Sequence, residues 1–489
     1  MPFKNHPHSK LISSLALLIC IGTPNTYGKT DRVTLQKTNI IIIFTDDQGY
    51  NDLGCFGSPK IKTPHIDGLA SDGIKFTSFY AQPICGPSRA ALMIGSYPLR
   101  IAEVGNIKRV HPMVHPKEVM LPQLLKQAGY ATGCIGKWDL NGHSARFKRD
   151  DIFPDHFGFD HWYGTGTSND SGKIDLWLNR NIVEPKVGMN KVVQKYHRVA
   201  VKFIEKNKDN PFFLYLAHTM PHTQLGASEK FKGKSARGLY GDVIEEIDWS
   251  TGQIIKTLKK LNLDKKTLVI FTSDNGPWLV RGQHGGSATP LRAGKTTTWE
   301  GGLRVPCVMW APGLIPQGQV CDEITSTLDI LPTLCQLAKV KAPTDRVLDG
   351  KSILPIMTGK QTHFTDERVY YYYLMTHLQA VRKGPWKLVL KRPHAPKWLG
   401  FLGKASEWKK HDIMEILNHQ LYNLEADVGE TTNLADKHPE KVKELLQSAA
   451  HAQDDIGDYD RIGKNARFFD QSPPRSGIKQ WSKKSQPSR

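Results

Sequence analysis

The chain has 489 residues, too many for one ordinary domain and enough to bury a sizeable core. Lys and Arg number 66 against 47 Asp and Glu, a formal charge of +19 that raises encounter rates with polyanions and serves solubility equally well. No nucleic-acid motif of the usual kinds accompanies the charge, and no apolar stretch beyond the first 28 residues is long enough to span a membrane, so neither nucleic acid nor a stable membrane span is expected.

Lys4 and Lys10 give a basic start, Leu11 to Ile21 is mostly apolar, and Thr26-Tyr-Gly28 sets small residues before a cut at Lys29. Residues 1–28 therefore read as a signal peptide, and the expected location is secreted or periplasmic. Cys20 would leave with it; the bulky Ile19 argues against lipoprotein processing. Asn39-Ile-Ile-Ile-Ile-Phe44 is a continuous β-branched run, a buried parallel strand that ends in Thr45-Asp46-Asp47. Leu121 to Gly129 reads as a helix with a glycine cap, followed by a strand to Ile135. Val193 to Lys206 is a helix, and Pro211 to Leu216 a strand ending near His218 and His222. Tyr240 to Leu261 is a long amphipathic helix. Thr267 to Thr272 is a strand ending at Asp274-Asn275, and Val305 to Trp310 is a fourth strand.

Strands alternating with helices predict an α/β fold with a mixed, mostly parallel sheet flanked by helices. Ligands of such sheets bind beyond the carboxyl ends of the strands, and the acidic and histidine pairs all follow strand runs. A second unit begins near residue 361. Val369 to Leu374 and Gln379 to Leu390, turning at Lys383-Gly384, read as strands, Leu421 to Leu424 as a short strand or turn, and Pro439 to Ala450 as a helix. That predicts a smaller C-terminal antiparallel sheet. The expected divisions are 1–28, 29–360, 361–465 and a basic, disordered tail over 466–489.

Cys85-Gly-Pro-Ser-Arg89 runs into Ala-Ala-Leu-Met-Ile-Gly95. A cysteine before Gly-Pro, taken alone, reads as a structural thiol. Together, Cys85, Pro87, Arg89 and Gly95 resemble the modification signature of the sulfatase family, Cys-x-Pro-x-Arg followed by a small-residue helix and Gly. The likeness continues through Asp52-Leu-Gly-Cys-Phe-Gly57, Thr63-Pro-His-Ile-Asp67, His156-Phe-Gly-Phe-Asp160, Ser168-Asn-Asp170, Leu421-Tyr-Asn-Leu424 and Glu430-Thr-Thr-Asn-Leu434. The segment from Asn275-Gly-Pro to Trp299-Glu-Gly-Gly302 resembles the arylsulfatase A and N-acetylgalactosamine-6-sulfatase branch.

The resemblance implies an alkaline-phosphatase-like fold and hydrolysis of sulfate esters, with carbohydrate sulfates expected for a basic, exported chain. It implies that a formylglycine-generating maturation enzyme oxidises Cys85 to an aldehyde. One hydroxyl of the hydrated aldehyde attacks sulfur, and the second lets the sulfate be expelled, which a plain Ser or Cys could not do. With Cys20 removed and Cys85 modified, Cys55, Cys134, Cys307, Cys321 and Cys335 remain, an odd number that leaves a free thiol and an undetermined pairing.

Asp46, Asp47, Asp274 and Asn275 offer four hard oxygen ligands of the kind that suits calcium or magnesium. Either pair alone reads as a solvated turn. The resemblance implies one metal per chain held by these four and formylglycine 85; Ca2+ is the choice, for its tolerance of irregular carboxylate geometry, and Mg2+ the alternative. It further implies that Arg89 steadies the formylglycine and its metal, that Lys137 and Lys295 grip sulfate oxygens, and that His222 hydrogen-bonds or protonates the leaving oxygen, His218 being structural. The family commonly has Gly-Lys-Trp-His, whereas here Asp139 follows Trp138, so the base for sulfate elimination is open between Asp139, His143 and an orienting role of Asp139 on Lys137. His284, in the loop Arg281-Gly-Gln-His-Gly285, is the remaining substrate-binding candidate. The alternatives are a phosphomonoesterase or phosphonate hydrolase of the same fold, and an inactive carbohydrate-binding homologue.

Overall fold

Asn39–Thr45 (β1) is buried at every position, as the apolar run Ile40 to Phe44 at its centre requires. The computed structural model describes residues 37–101, 112–142, 147, 149–392 and 415–467; the predicted signal peptide, Cys20, His143 and residues 472–489 lie outside them. The further strands of the large sheet are Ile74–Tyr80 (β2), Ala131–Lys137 (β3), His161–Thr165 (β4), Lys173–Leu178 (β5), Asn181–Gly188 (β6), Phe212–Ala217 (β7), Thr267–Ser273 (β8), Arg304–Trp310 (β9), Gln319–Cys321 (β10) and Thr325–Ser326 (β11). Their order is β10-β2-β9-β8-β1-β7-β3-β4-β5-β6, with β11 also beside β2. β8, β1, β7, β3 and β4 form a parallel block, and antiparallel pairings add β9 and β2 on one side and β5 and β6 on the other.

Both faces of the block are covered, which explains why β1 does not alternate with polar residues. Ile40, Ile42 and Phe44 face a core shared with Cys85–Ile94 (α1) and Leu121–Gln127 (α2). Ile41 and Ile43 face a second core built with Val192–Lys206 (α3) and Leu239–Lys260 (α4). Gly136 in β3 has φ 115°, and a Cβ there would stand 1.8 Å from the Ala217 carbonyl oxygen. Only glycine lets β3 run so close to β7 and deliver Lys137 at its end.

The smaller sheet is antiparallel and in chain order: Val369–Leu374 (β12), His377–Lys383 (β13), Trp386–Val389 (β14) and Gln420–Asn423 (β15). The helix Pro439–Asp455 (α5) buries Leu445, Ala449 and Ala452 and runs five residues beyond the end read from sequence. A buried joint ties this sheet to the large one. Lys387 of β14 donates to the Thr298 carbonyl at 2.9 Å and to Glu300 at 3.0 Å, and lies 2.7 Å from Glu430. Glu430 in turn accepts the Glu300 backbone N–H at 2.7 Å. All six cysteines among the described residues are free thiols.

Candidate active site

The parallel register decides which residues meet. Thr45 pairs with Ser273, Phe44 with Ala217, and Gly136 also with Ala217, so β1, β8, β7 and β3 end at one edge. Asp46-Asp47, Asp274-Asn275, the segment to His222, and Lys137 emerge there together. Asp47 takes a left-handed φ of 66°, a conformation Asp tolerates better than most residues, and its N–H donates to Asp274 Oδ1 at 3.1 Å. The two acidic turns thereby lock to each other.

Cys85 is the first residue of α1, directly after the extended Ile84, and every residue of that helix is buried. The helix end is held rigidly, with its positive pole at Cys85. One turn on, Arg89 donates to Asp274 Oδ2 at 2.7 Å and to the Lys137 carbonyl at 3.2 Å, and lies 3.4 Å from Asp46 Oδ2. Lys137 donates to Asp46 Oδ2 at 2.7 Å and stands 3.4 Å from Asp139. Lys295 donates to both Asp47 oxygens, at 2.6 and 2.8 Å, with its Nζ 3.7 Å from the Cys85 sulfur. Asn275 donates to Asp47 Oδ1 at 2.8 Å. Gly276 follows, and a Cβ there would stand 1.8 Å from the Gly301 carbonyl oxygen, so the turn closes against the Lys295 segment only with glycine.

Burial alone would raise the Asp46 carboxyl, but Lys137 and Arg89 overcome it and hold the group well below the carboxylate range. Asp274 goes the other way, pushed up to about 7 by burial and by the neighbouring Asp46 charge. Burial also pushes the Cys85 thiol up to about 12, against the pull of Lys137 and Lys295. Lys295 is held well above its usual value: burial opposes this, and Asp47 prevails. Asp46 Oδ1 and Asn275 Oδ1 are buried with no hydrogen-bond partner. Buried oxygens without a donor, set among three carboxylates, fit a hard cation. Asp46, Cys85 and Asp274 meet the spacing of a metal-binding group, as do Asp46, Asp47 and His222.

His222 is buried, with Nε2 3.7 Å from Asp47 Oδ2 and 3.8 Å from Asp170. Burial lowers its pKa and Asp47 partly offsets this, so the ring is neutral near pH 7. His218 is fully buried, both ring nitrogens lack partners, and burial pushes it to about 3, a neutral core residue. Asp139 is buried at φ 54°, beside Lys137. His284 is exposed on the turn Leu279–His284 and takes no part in the network. Sequence reasoning passed over Trp278. Its ring centre lies 5.2 Å from that of His222, with Lys295 Nζ 4.6 Å and the Arg281 guanidinium 3.9 Å away. The available signal was an aromatic residue right after the Asn275-Gly-Pro turn.

A family profile described as Sulfatase matches residues 38–340, and one described as N-sulphoglucosamine sulphohydrolase, C-terminal, matches residues 294–454. N-acetylgalactosamine-6-sulfatase of Rattus norvegicus is 39% identical over 382 residues, covering 72% of this chain and 71% of the relative. Steryl-sulfatase of Homo sapiens is 33% identical over 451 residues, covering 73% and 77%. A solved Bacteroides thetaiotaomicron structure, described with the metabolism of multiple glycosaminoglycans, superposes with TM-score 0.71 at 28% identity over 86% of this chain and 99% of that one. It shares the large mixed sheet flanked by helices. The convergence of the acidic turns on Cys85 and the reach of these matches lead to one assignment: the chain belongs to the sulfatase family, whose members hydrolyse sulfate esters.

Proposed function

We propose that this protein removes sulfate from a sulfated carbohydrate, using formylglycine made from Cys85 by a maturation enzyme and one Ca2+ held by Asp46, Asp47, Asp274, Asn275 and residue 85. The observation that carries the reading is the meeting of three carboxylates and three cations on Cys85 at the carboxyl edge of the sheet. With Asp139 beside Lys137, four carboxylates face three cations, so a bound dication leaves the site with one positive charge, as capture of a sulfate ester needs. When bound, the cation supplies a Lewis acid for a sulfate oxygen. The hydrated aldehyde supplies the nucleophile.

The chain's own residues do the rest. Lys137 and Lys295 approach from two sides and hold sulfate oxygens as charge moves toward the leaving group. Arg89, paired with Asp274, fixes the acidic turn relative to α1. His222, as a neutral imidazole, carries one N–H for the leaving oxygen. The N-acetylgalactosamine-6-sulfatase relative, the solved structure described with glycosaminoglycan metabolism and the basic charge support a sugar sulfate, and residues 1–28 support a secreted or periplasmic location. Among the described residues no helix is long and apolar enough to cross a membrane. We place the catalytic part at 29–360 and the smaller part at 361–465.

Turnover of defined sulfated oligosaccharides by the matured protein tests this, with steryl sulfate and matched phosphate esters alongside. The sugar sulfate should exceed its phosphate counterpart at least about 100-fold in kcat/KM, a difference of about 2.7 kcal/mol in transition-state binding. Preference for the phosphate or the steroid would overturn the reading.

Asp139 is assigned a positioning role on Lys137, 3.4 Å away. Asp139→Asn should raise KM about 10-fold and change kcat little, because the loss falls on sulfate capture. A burst of alcohol product followed by a slow steady state would instead make Asp139 the elimination base.

A further inference from the structure

We infer that Arg281, stacked on Trp278, forms a second anion subsite that reads a negative group beside the scissile sulfate; this rests on the sulfatase reading above. Trp278 is half-buried and bridges the reaction centre to the surface. Lys295 and His222 lie against its ring from the inside, at 4.6 and 5.2 Å. The Arg281 guanidinium lies against the same ring at 3.9 Å and is exposed. No carboxylate among the described residues pairs with it. A stacked guanidinium keeps its edge donors directed outward, where they match a carboxylate or sulfate in two-point contact.

The perch is built. Arg281 donates its backbone N–H to the Trp278 carbonyl at 3.0 Å. Arg237 donates to the Gln283 carbonyl at 3.0 Å and to the Gly285 carbonyl at 2.7 Å, clamping the far side of the turn. Between them Gly282 sits at φ 54°, ψ −120°, a backbone state open only to glycine. Arg281 is thus presented with little conformational freedom left to lose on binding. Lys295 and Arg281 share one indole, so their spacing suits two anionic substituents on one sugar or on adjacent sugars. The ligand class is a carbohydrate carrying the scissile sulfate plus a second sulfate or a uronate carboxylate.

The test measures affinity by calorimetry in the metal-loaded Cys85→Ala protein, which binds without turning over. The ligands are a monosulfated hexosamine, the same sugar with a second sulfate, and the same sugar joined to a uronate. With Arg281 intact, at least one doubly charged ligand should bind about 10-fold or more tighter than the monosulfated one, the range of a charge-assisted contact. Arg281→Gln should erase that ratio, and Arg281→Lys should recover part of it. Whichever doubly charged ligand loses its advantage identifies the second group. A ratio that survives Arg281→Gln, or one near unity in the starting protein, overturns the subsite. Hydrolysis by protein with residue 85 intact is measured separately, so its absence would count against the sulfatase chemistry and not against Arg281.

Discussion

Asp274→Ala is expected to lose the bound metal and the activity together. Asp274 is a proposed ligand and also the keystone of the two acidic turns: one oxygen accepts the Asp47 N–H at 3.1 Å, and the other holds Arg89 at 2.7 Å. Alanine removes a charge from the cation site, frees the Asp47 turn and leaves Arg89 with one carboxylate, Asp46 at 3.4 Å, beside the Lys137 carbonyl at 3.2 Å. Elemental analysis of the purified protein should fall from about one metal per chain to about a tenth of that, and kcat/KM should drop on the order of 10^4-fold or more. Asp274→Asn keeps the acceptor for the Asp47 N–H and tests whether the charge itself is required. Full metal content in an inactive Asp274→Ala protein would dissociate the residue from the cation.

The second large effect is at residue 85. In protein made with a formylglycine-generating system, the peptide carrying residue 85 should weigh about 18 Da less than its cysteine form, as a thiol becomes an aldehyde. Cys85→Ala, and the unmodified cysteine form alike, should fold, keep the acidic site and lose turnover by about 10^4-fold or more. Neither has the second hydroxyl on one carbon that lets sulfate leave. Active protein in which residue 85 is wholly cysteine would overturn the assignment.

The strands that carry the site were legible because they are buried on both faces. Ile40 to Phe44, Phe212 to Leu216 and Leu268 to Phe271 are unbroken apolar runs, and the acidic and histidine residues stand shortly behind them. The resemblance then supplied roles that such runs cannot. What stayed hidden is set by contacts distant in sequence. The order β8-β1-β7-β3, which puts Asp274 beside Asp46 and Lys137 beside both, follows from pairing and not from any local pattern. β6, largely exposed and carrying Glu184, Pro185 and Lys186, has no core-like run to announce it. Trp278 escaped notice because its meaning lies in three cationic or titratable neighbours from separate segments. His284, singled out with its loop, stays exposed beyond the cluster, while Arg281 three residues earlier reaches back to the indole.

The joint between the two sheets bears on how the molecule matures during synthesis. Glu300 is enclosed without solvent, and its buried lysine partner is 87 positions later, on β14. Lys387 also grips the Thr298 carbonyl, three residues from Lys295, which stands at the Cys85 sulfur. A nascent chain that ends before β14 therefore lacks the nearest cation to this buried carboxylate and keeps Arg304, at 3.6 Å. It also lacks the tether for the strand of backbone that carries Lys295. Competence for chemistry is in this sense a late event: the last quarter of the polypeptide completes a centre whose first two proposed ligands were made at positions 46 and 47.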